Sequence, residues 1–249
     1  MPGSLKTDAI VLRSIRYSEA DRVLHLYTPD YGRLAAIAKG VRRARSRFGG
    51  RLEPFFSLRL VLYEGRGDLL TVTSAQTVAP HARLREHGAT LDAAGRACDA
   101  VARLFATGDA NPAVFHLLAH ELELLDSDPL GAGHSNQLAF RLKLLVAAGF
   151  GPHLATCAGC GEADNLCAFS GAAGGVVCGA CEGAAFPLGE DAHSFMVQAL
   201  GRPLAQAPEA SEQALRQAER AISDTVEHHA GLRLRSASPG RTVNTIARA

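Results

Sequence analysis

Two cysteine pairs, Cys157-Ala-Gly-Cys160 and Cys178-Gly-Ala-Cys181, stand 17 residues apart. No other feature limits so strongly what this chain can fold into. Two thiolates three residues apart on a tight turn can reach one metal ion, and two such turns complete a tetrahedral S4 site. Gly159 and Gly179 let the backbone close behind the sulfurs, and Gly161 follows the first pair as in the knuckle of a zinc ribbon. The intervening AFSGAAGGVVC is long enough for a hairpin and too short for an apolar core, so the module is expected to need metal to fold. The expected ligands are Cys157, Cys160, Cys178 and Cys181 around one structural zinc ion. Four thiolates leave no open position for a reacting water. Cys167 either replaces a ligand or lines the module, and Cys98 stands alone on a helical apolar face. A redox role for either pair lacks the βαβ setting of thioredoxin-type motifs.

Charge is unevenly distributed. The whole chain carries a net +1, yet residues 1–80 hold 13 Lys and Arg against 7 Asp and Glu, leaving 13 against 18 for the rest. Halves of opposite sign point to an anion or polyanion partner for the first. The asymmetry peaks between Tyr31 and Leu52, where no acid occurs and Arg33, Lys39, Arg42, Arg43, Arg45, Arg47 and Arg51 crowd together. Like charges in a block repel one another and need solvent or a counter-charged partner. Met1 to Asp8 has no signal-type apolar core and no stretch is long enough to span a membrane. A cytoplasmic, membrane-free location is the resulting expectation. Clustered cysteines in such a chain read as a metal site rather than a disulfide framework.

The first 80 residues have strand patterns: DAIVLRSIRY, DRVLHLYT, RLAAIAKG, SLRLVLYEG and LLTVTSAQTV, the last two joined by the hairpin signal GRGD. Five short strands without an intervening helix suit a Greek-key OB-fold barrel, a fold whose face binds oligonucleotides, although an SH3-like barrel shares the strand count. From Pro80 the period becomes helical. One stripe comprises Leu91, Ala94, Cys98, Val101 and Leu104 or Phe105, with a stop at Gly108. A second follows the cap Asn111-Pro112 with Phe115, Leu118, Leu122 and Leu125; a third has Leu138, Leu142, Leu145 and Val146. Beyond the cysteines, SFMVQALGRP and a helix striped by Leu215, Ala218, Ile222 and Val226 resume the pattern. The tail from Leu232, with Arg233, Arg235, Arg241 and Arg248, is expected to end in disorder.

The fold class is therefore α+β multidomain: an N-terminal five-stranded OB-fold barrel over 1–80, a helical domain over 81–150, an inserted four-cysteine zinc module over 151–187, and the helical domain continued over 188–249. No P-loop, G-x-S-x-G or H-E-x-x-H motif occurs. His116/His120 and His228/His229 read as surface or packing residues, and Glu121 with Glu123 gives no reason to propose acid–base catalysis. A binding protein rather than an enzyme is expected.

Several segments together resemble the RecO family of bacterial recombination mediators: AIVL, Y-x-E-x-D, T-x-x-x-G and AKG-x-R-R in order near the N-terminus, then GFGPHL running into the first C-x-x-C and GGVVCGAC at the second. The resemblance implies an OB-fold, a helical domain and a zinc site. It further implies binding of single- and double-stranded DNA, annealing of complementary strands, and help in loading the RecA recombinase in the RecF pathway. RecR and the tail of single-strand binding protein are the implied partners, and nucleoid association the implied location. Within this reading the seven cations of the basic window contact DNA phosphates, and Tyr31, Phe48 and Phe55 are candidates for base stacking, with Phe55 better read as core. No Lys or Arg lies between Cys157 and Cys181, so the zinc module is read as structural. The rival expectation is an adaptor in a repair complex, with the basic loop a solvated surface that does not touch DNA.

Overall fold

The computed structural model describes residues 3–43, 45–65, 67, 69–128 and 133–237. Strands β1 (Ser4–Arg16), β2 (Arg22–Thr28), β3 (Gly32–Ala38), β4 (Ser57–Tyr63) and β5 (Leu70–Ala79) close into a barrel in the order β1-β2-β3-β5-β4. The other neighbours are antiparallel; the closing pair β3 and β5 is parallel, with Ala36 opposite Leu70 and Ile37 opposite Thr71. This is the Greek-key closure of an OB-fold. In β4 the cause is visible residue by residue. Leu58, Leu60 and Leu62 are buried in the barrel while Arg59 and Tyr63 point to solvent, the period of two that a half-buried strand requires. β4 and β5 are hairpin neighbours as GRGD suggests, with Arg66 and Asp68 outside the described residues.

β1 breaks the alternation for a physical reason. Ala9 and Val11 enter the barrel core, whereas Ile10 and Leu12 join Tyr27 and Phe55 in a second core shared with the helices. A strand covered on both faces needs apolar residues at every position, and the run AIVL provides them.

Helices α1 (Gly88–Leu104), α2 (Pro112–Ser127), α3 (His134–Ala147), α4 (Glu190–Gly201) and α5 (Glu212–Ala230) make the bundle. The Asn111 side chain accepts from Val114 N at 3.3 Å with Pro112 at the first helical position, the cap legible in the sequence. α5 buries Leu215, Ala218, Ile222 and Val226, is capped by Ser211, and stops at Gly231, whose φ of 63° is left-handed. Two expected stripes need correction. In α1 the buried face is Ala93, Ala94, Ala97, Cys98 and Val101, while Leu91 is exposed; the helix stops before Gly108 because Phe105 turns into the core and Thr107 bridges Gly32 of β3. In α3 Val146 is exposed, yet the helix is buried on nearly every other side, Phe140 and Leu144 included. α4 and α5, arriving from beyond the cysteines, pack on it together with α1 and α2, so α3 is the central helix of the bundle.

The cysteine segment forms a sheet of β6 (Leu166–Ser170), β7 (Gly175–Cys178) and β8 (Phe186–Pro187) in the order β7-β6-β8. The expectation that it lacks an apolar core holds for only half of it. Phe169, Val176 and Phe186 join the bundle core, Gly171 N donates to Asp224 Oδ2 at 2.6 Å, and the Arg220 guanidinium sits 4.0 Å from the Phe186 ring centre. The first part of the tail is fixed, and its end, where disorder is expected, lies outside the described residues. Residues 232–237 are held by an Arg233–Glu227 pair at 2.9 Å, by Arg141 donating to the Arg235 carbonyl, and by Ser236 donating to Glu219 at 2.8 Å. Arg241 and Arg248 lie outside the described residues.

Candidate functional site

Residues 39–56, which join β3 to β4, carry the basic run, and two apolar side chains determine its shape. Phe48 and Leu52 point inward and are buried in the barrel core, with Phe48 only 2% exposed. At the start of the loop, Gly40 N donates to Asp21 Oδ1 at 2.7 Å and Arg42 N to the Ala20 carbonyl at 3.0 Å, tying it to the β1–β2 turn. Gly40 and Gly49, at φ of 67° and 55°, allow the sharp turns this path requires. With its apolar residues buried, the loop turns its charges outward.

Lys39, Arg42, Arg43, Arg45, Arg47 and Arg51 are all exposed. Arg42 donates to the Glu19 carbonyl at 2.9 Å, Arg47 to Val72 O at 3.2 Å and Arg51 to Ala75 O at 3.4 Å, bonds that orient guanidinium groups without neutralising them. Among the described residues, none of the six is in an ion pair with a carboxylate. Arg33 stands apart: half-buried in β3, it donates to the Ala102 carbonyl at the end of α1 and lines the cleft between barrel and bundle. The structure thus gathers six of the seven cations on one loop and places the seventh at the junction.

Of the aromatic candidates, Phe48 is corrected to a core residue, because a basic loop this long folds over the barrel only if something apolar anchors it. Phe55 is likewise buried, at a φ of 72°, with its N–H donating to the Val11 carbonyl at 2.7 Å. Tyr31 is exposed.

The second constellation is the thiol cluster. The Sγ atoms of Cys157, Cys160, Cys178 and Cys181 all lie within 4.8 Å of one another, and Cys160 and Cys178 are 3.7 Å apart. A tetrahedron with Zn–S bonds of ~2.3 Å has edges of about 3.8 Å, so this spacing suits one such ion. Backbone geometry sets the turns: Cys157 N donates to Glu162 O and Gly161 N to Cys157 O, with Gly161 at a φ of 80°. A Cβ on Gly159 would lie 3.2 Å from Cys181 Sγ, which explains that glycine; Gly179 has no such close approach. The N–H groups of Cys178 and Cys160 pull the Cys157 thiol down to about 6, while the crowding thiols of Cys160, Cys178 and Cys157 push Cys181 up to about 12. Four sulfurs so close cannot all ionise unless a cation joins them. Cys167 is exposed on β6 with its sulfur near Gly179 and is not part of the four-sulfur group.

Sequence reasoning missed a third feature, a set of buried polar groups in the bundle. Glu219 meets His134 Nε2 at 3.3 Å and Arg141 at 3.8 Å, and accepts from Ser236 and from Ala237 N. Burial alone would raise its pKa, but the His134, Ala237 and Ser236 bonds hold the carboxyl at about 2. Glu121, 1% exposed, faces the Asn136 side-chain amide, which donates to it at 3.0 and 3.1 Å once oriented with its nitrogen toward the carboxyl, and burial pushes the Glu121 pKa up to about 8. His116, His120, His228 and His229 are not buried.

Barrel, bundle and ribbon together define a class: an OB-fold protein whose helical bundle carries a four-thiol candidate metal site. The comparisons with known proteins make this narrower. Sequence profiles described as "Recombination protein O N terminal" and "Recombination protein O C terminal" match residues 1–81 and 85–238. The chain is 38% identical over 224 residues to the DNA repair protein RecO of Rubrobacter xylanophilus, covering 87% of this chain and 89% of that one. It is 34% identical over 243 residues to the RecO protein of an Anaeromyxobacter species, covering 94% of each. The chain belongs to the RecO family of DNA repair proteins. No helix among the described residues is long and apolar enough to cross a membrane.

Proposed function

We propose that this protein binds single- and double-stranded DNA through the loop of Lys39, Arg42, Arg43, Arg45, Arg47 and Arg51, with Arg33 anchoring the barrel to the bundle behind it. The observation that carries the reading is the loop's construction: buried Phe48 and Leu52 pin it, and its exposed cations lack carboxylate partners among the described residues. Phosphates supply the missing countercharge without sequence preference. Two DNA strands repel at short range; a cationic surface lowers that repulsion and concentrates both strands, which favours annealing. In a RecO protein this activity serves to load RecA with RecR onto strands coated by single-strand binding protein, whose tail is a further partner, within the RecF pathway. Cys157, Cys160, Cys178 and Cys181 hold one structural zinc ion, which fixes the two knuckles of the ribbon and supplies no reactive water.

Annealing of complementary oligonucleotides by the purified protein, with and without combined Arg42→Gln, Arg43→Gln, Arg45→Gln and Arg47→Gln substitutions, tests the reading. The parent protein is expected to accelerate annealing and the variant to lose most of that effect. Equal acceleration by both would place the DNA surface elsewhere and favour a loop that serves only as a solvated face of an adaptor.

A further inference from the structure

The outward face of the barrel carries a row of residues that the basic loop does not account for. Successive cross-strand partners link Ile15 to Val23, Val23 to Ile37, Ile37 to Thr71 and Thr71 to Tyr63, so one row crosses β1, β2, β3, β5 and β4. Directly paired residues share a face, and this face points away from the Leu58–Leu60–Leu62 core. A solvated sheet face ordinarily carries polar side chains at such positions. Here Ile15 and Tyr63 are exposed, Val23, Ile37 and Thr71 are partly exposed, and Tyr17, just beyond β1, is 64% exposed.

Tyr17, Ile37, Lys39, Tyr63, Leu69 and Thr71 line one open groove of about 620 Å³. Tyr17 is set by its N–H donating to the Asp21 carbonyl at 3.1 Å. The Tyr63 ring lies over Gly65, where a Cβ would come within 3.8 Å of it. Lys39 places the first cation of the basic loop at the groove's rim. Two residues further along β1 on the same outer face, Arg13 stands exposed opposite His25 at the edge of the cleft between barrel and bundle. An apolar, aromatic surface with cations along its edge matches the two halves of an unpaired nucleotide, a flat base and a phosphate. In a duplex the bases are stacked on each other and their faces are covered, so a duplex cannot use this surface.

We infer that this groove is the base-binding half of a single-strand site, in which unpaired bases stack on Tyr17 and Tyr63 while the adjoining loop holds the phosphates. The inference rests on the DNA-binding reading above and adds to it a basis for telling single strands from duplex. Outward-facing Tyr63 could have been found from the β4 alternation alone, since it is out of phase with Leu58, Leu60 and Leu62.

The test compares the parent protein, a Tyr17→Ala/Tyr63→Ala variant and a Tyr17→Phe/Tyr63→Phe variant, on an oligothymidylate and on a duplex of equal length. Fluorescence anisotropy of labelled DNA at fixed salt gives both affinities, and unfolding midpoints confirm that these exposed substitutions leave the fold intact. Removing the stacking of one or two bases weakens single-strand binding roughly tenfold or more in the alanine variant. Duplex affinity is expected to stay unchanged, and the phenylalanine variant to bind as the parent does. The chain has no Trp and four Tyr, so quenching of intrinsic tyrosine fluorescence by the single strand gives a second readout, reduced in the alanine variant, which keeps Tyr27 and Tyr31. Unchanged single-strand affinity in the alanine variant, or equal weakening on single strand and duplex, overturns the inference. A parent protein that binds neither DNA overturns the underlying reading, and this inference falls with it.

Discussion

Arg47 and Phe48 are neighbours in sequence with opposite roles: the Phe48 ring is buried in the barrel, and the Arg47 guanidinium lies outside it, 4.7 Å from the ring centre. Such a cation–π contact holds the charge at the surface at little entropic cost, because the ring beneath it is already fixed. The alternation of anchor and charge makes the basic run a shaped surface. Phe48→Ala is therefore expected to cost about 3–5 kcal/mol in urea-induced unfolding, the range for removing a buried phenylalanine. The same variant should bind DNA more weakly although its charge is unchanged. Unchanged stability would mean that the loop does not depend on this anchor.

Glu219 ties the segment after α5 to the bundle, accepting from Ser236 and Ala237 while meeting His134 and Arg141. Glu219→Ala leaves buried polar partners without their carboxylate and is expected to cost about 3–5 kcal/mol. Hydrogen exchange at Ser236 and Ala237 should rise in the variant well before the bundle itself opens. Because the Glu219 carboxyl is held at about 2, its contribution is complete above the ordinary value of 4.5 and disappears as pH falls from there toward 2.

Glu121 works in the opposite direction. Burial raises its pKa from 4.5 to about 8, so the folded chain keeps a proton that the unfolded chain releases. Stability is expected to decline as pH rises between those values and to be insensitive to this group above about 8. Glu121→Gln keeps the shape and removes the titration. Unfolding measured from about pH 4 to about pH 9, a range that brackets the shift, should show the decline in the parent protein and a flatter profile in the variant.

Metal removal is expected to act locally. Phe169, Val176 and Phe186 dock the ribbon on the bundle whether or not the thiolates are bridged, while the two knuckles have a small cluster of their own, Ala168 and Val177 buried with Cys157 and Cys178. Chelation should expose the thiols of Cys157, Cys160, Cys178 and Cys181 to alkylation and leave the helical circular dichroism almost unchanged. The parent protein is expected to contain one zinc per chain and Cys178→Ser to lose it; a variant retaining one tightly held ion would refute this ligand set.

The parts of the molecule governed by short-range rules were readable in the sequence. Leu58, Leu60 and Leu62 announce β4 by alternation, Asn111-Pro112 announces α2 by capping, and the C-x2-C spacings announce two turns that bring four thiols together. What depended on distant partners was not. A single phenylalanine among arginines gives no sign that it is a core residue; that follows from the barrel into which it inserts. The face of α3 was misjudged because α4 and α5, which cover it, come from beyond the cysteine module. Glu219 and Ser236 lie 17 residues apart on a helix and an extended tail, a pairing without periodic signature.

The central claim, that the pinned loop binds DNA phosphates, is tested most directly by the salt dependence of DNA binding. Affinity of the full chain for a single-stranded oligonucleotide is measured over a range of salt concentrations, for the parent and for the variant with Arg42, Arg43, Arg45 and Arg47 each changed to Gln. The slope of log affinity against log salt should flatten by roughly 0.7 for every single-strand phosphate that the variant no longer neutralises. A parallel line of unchanged slope would contradict the account.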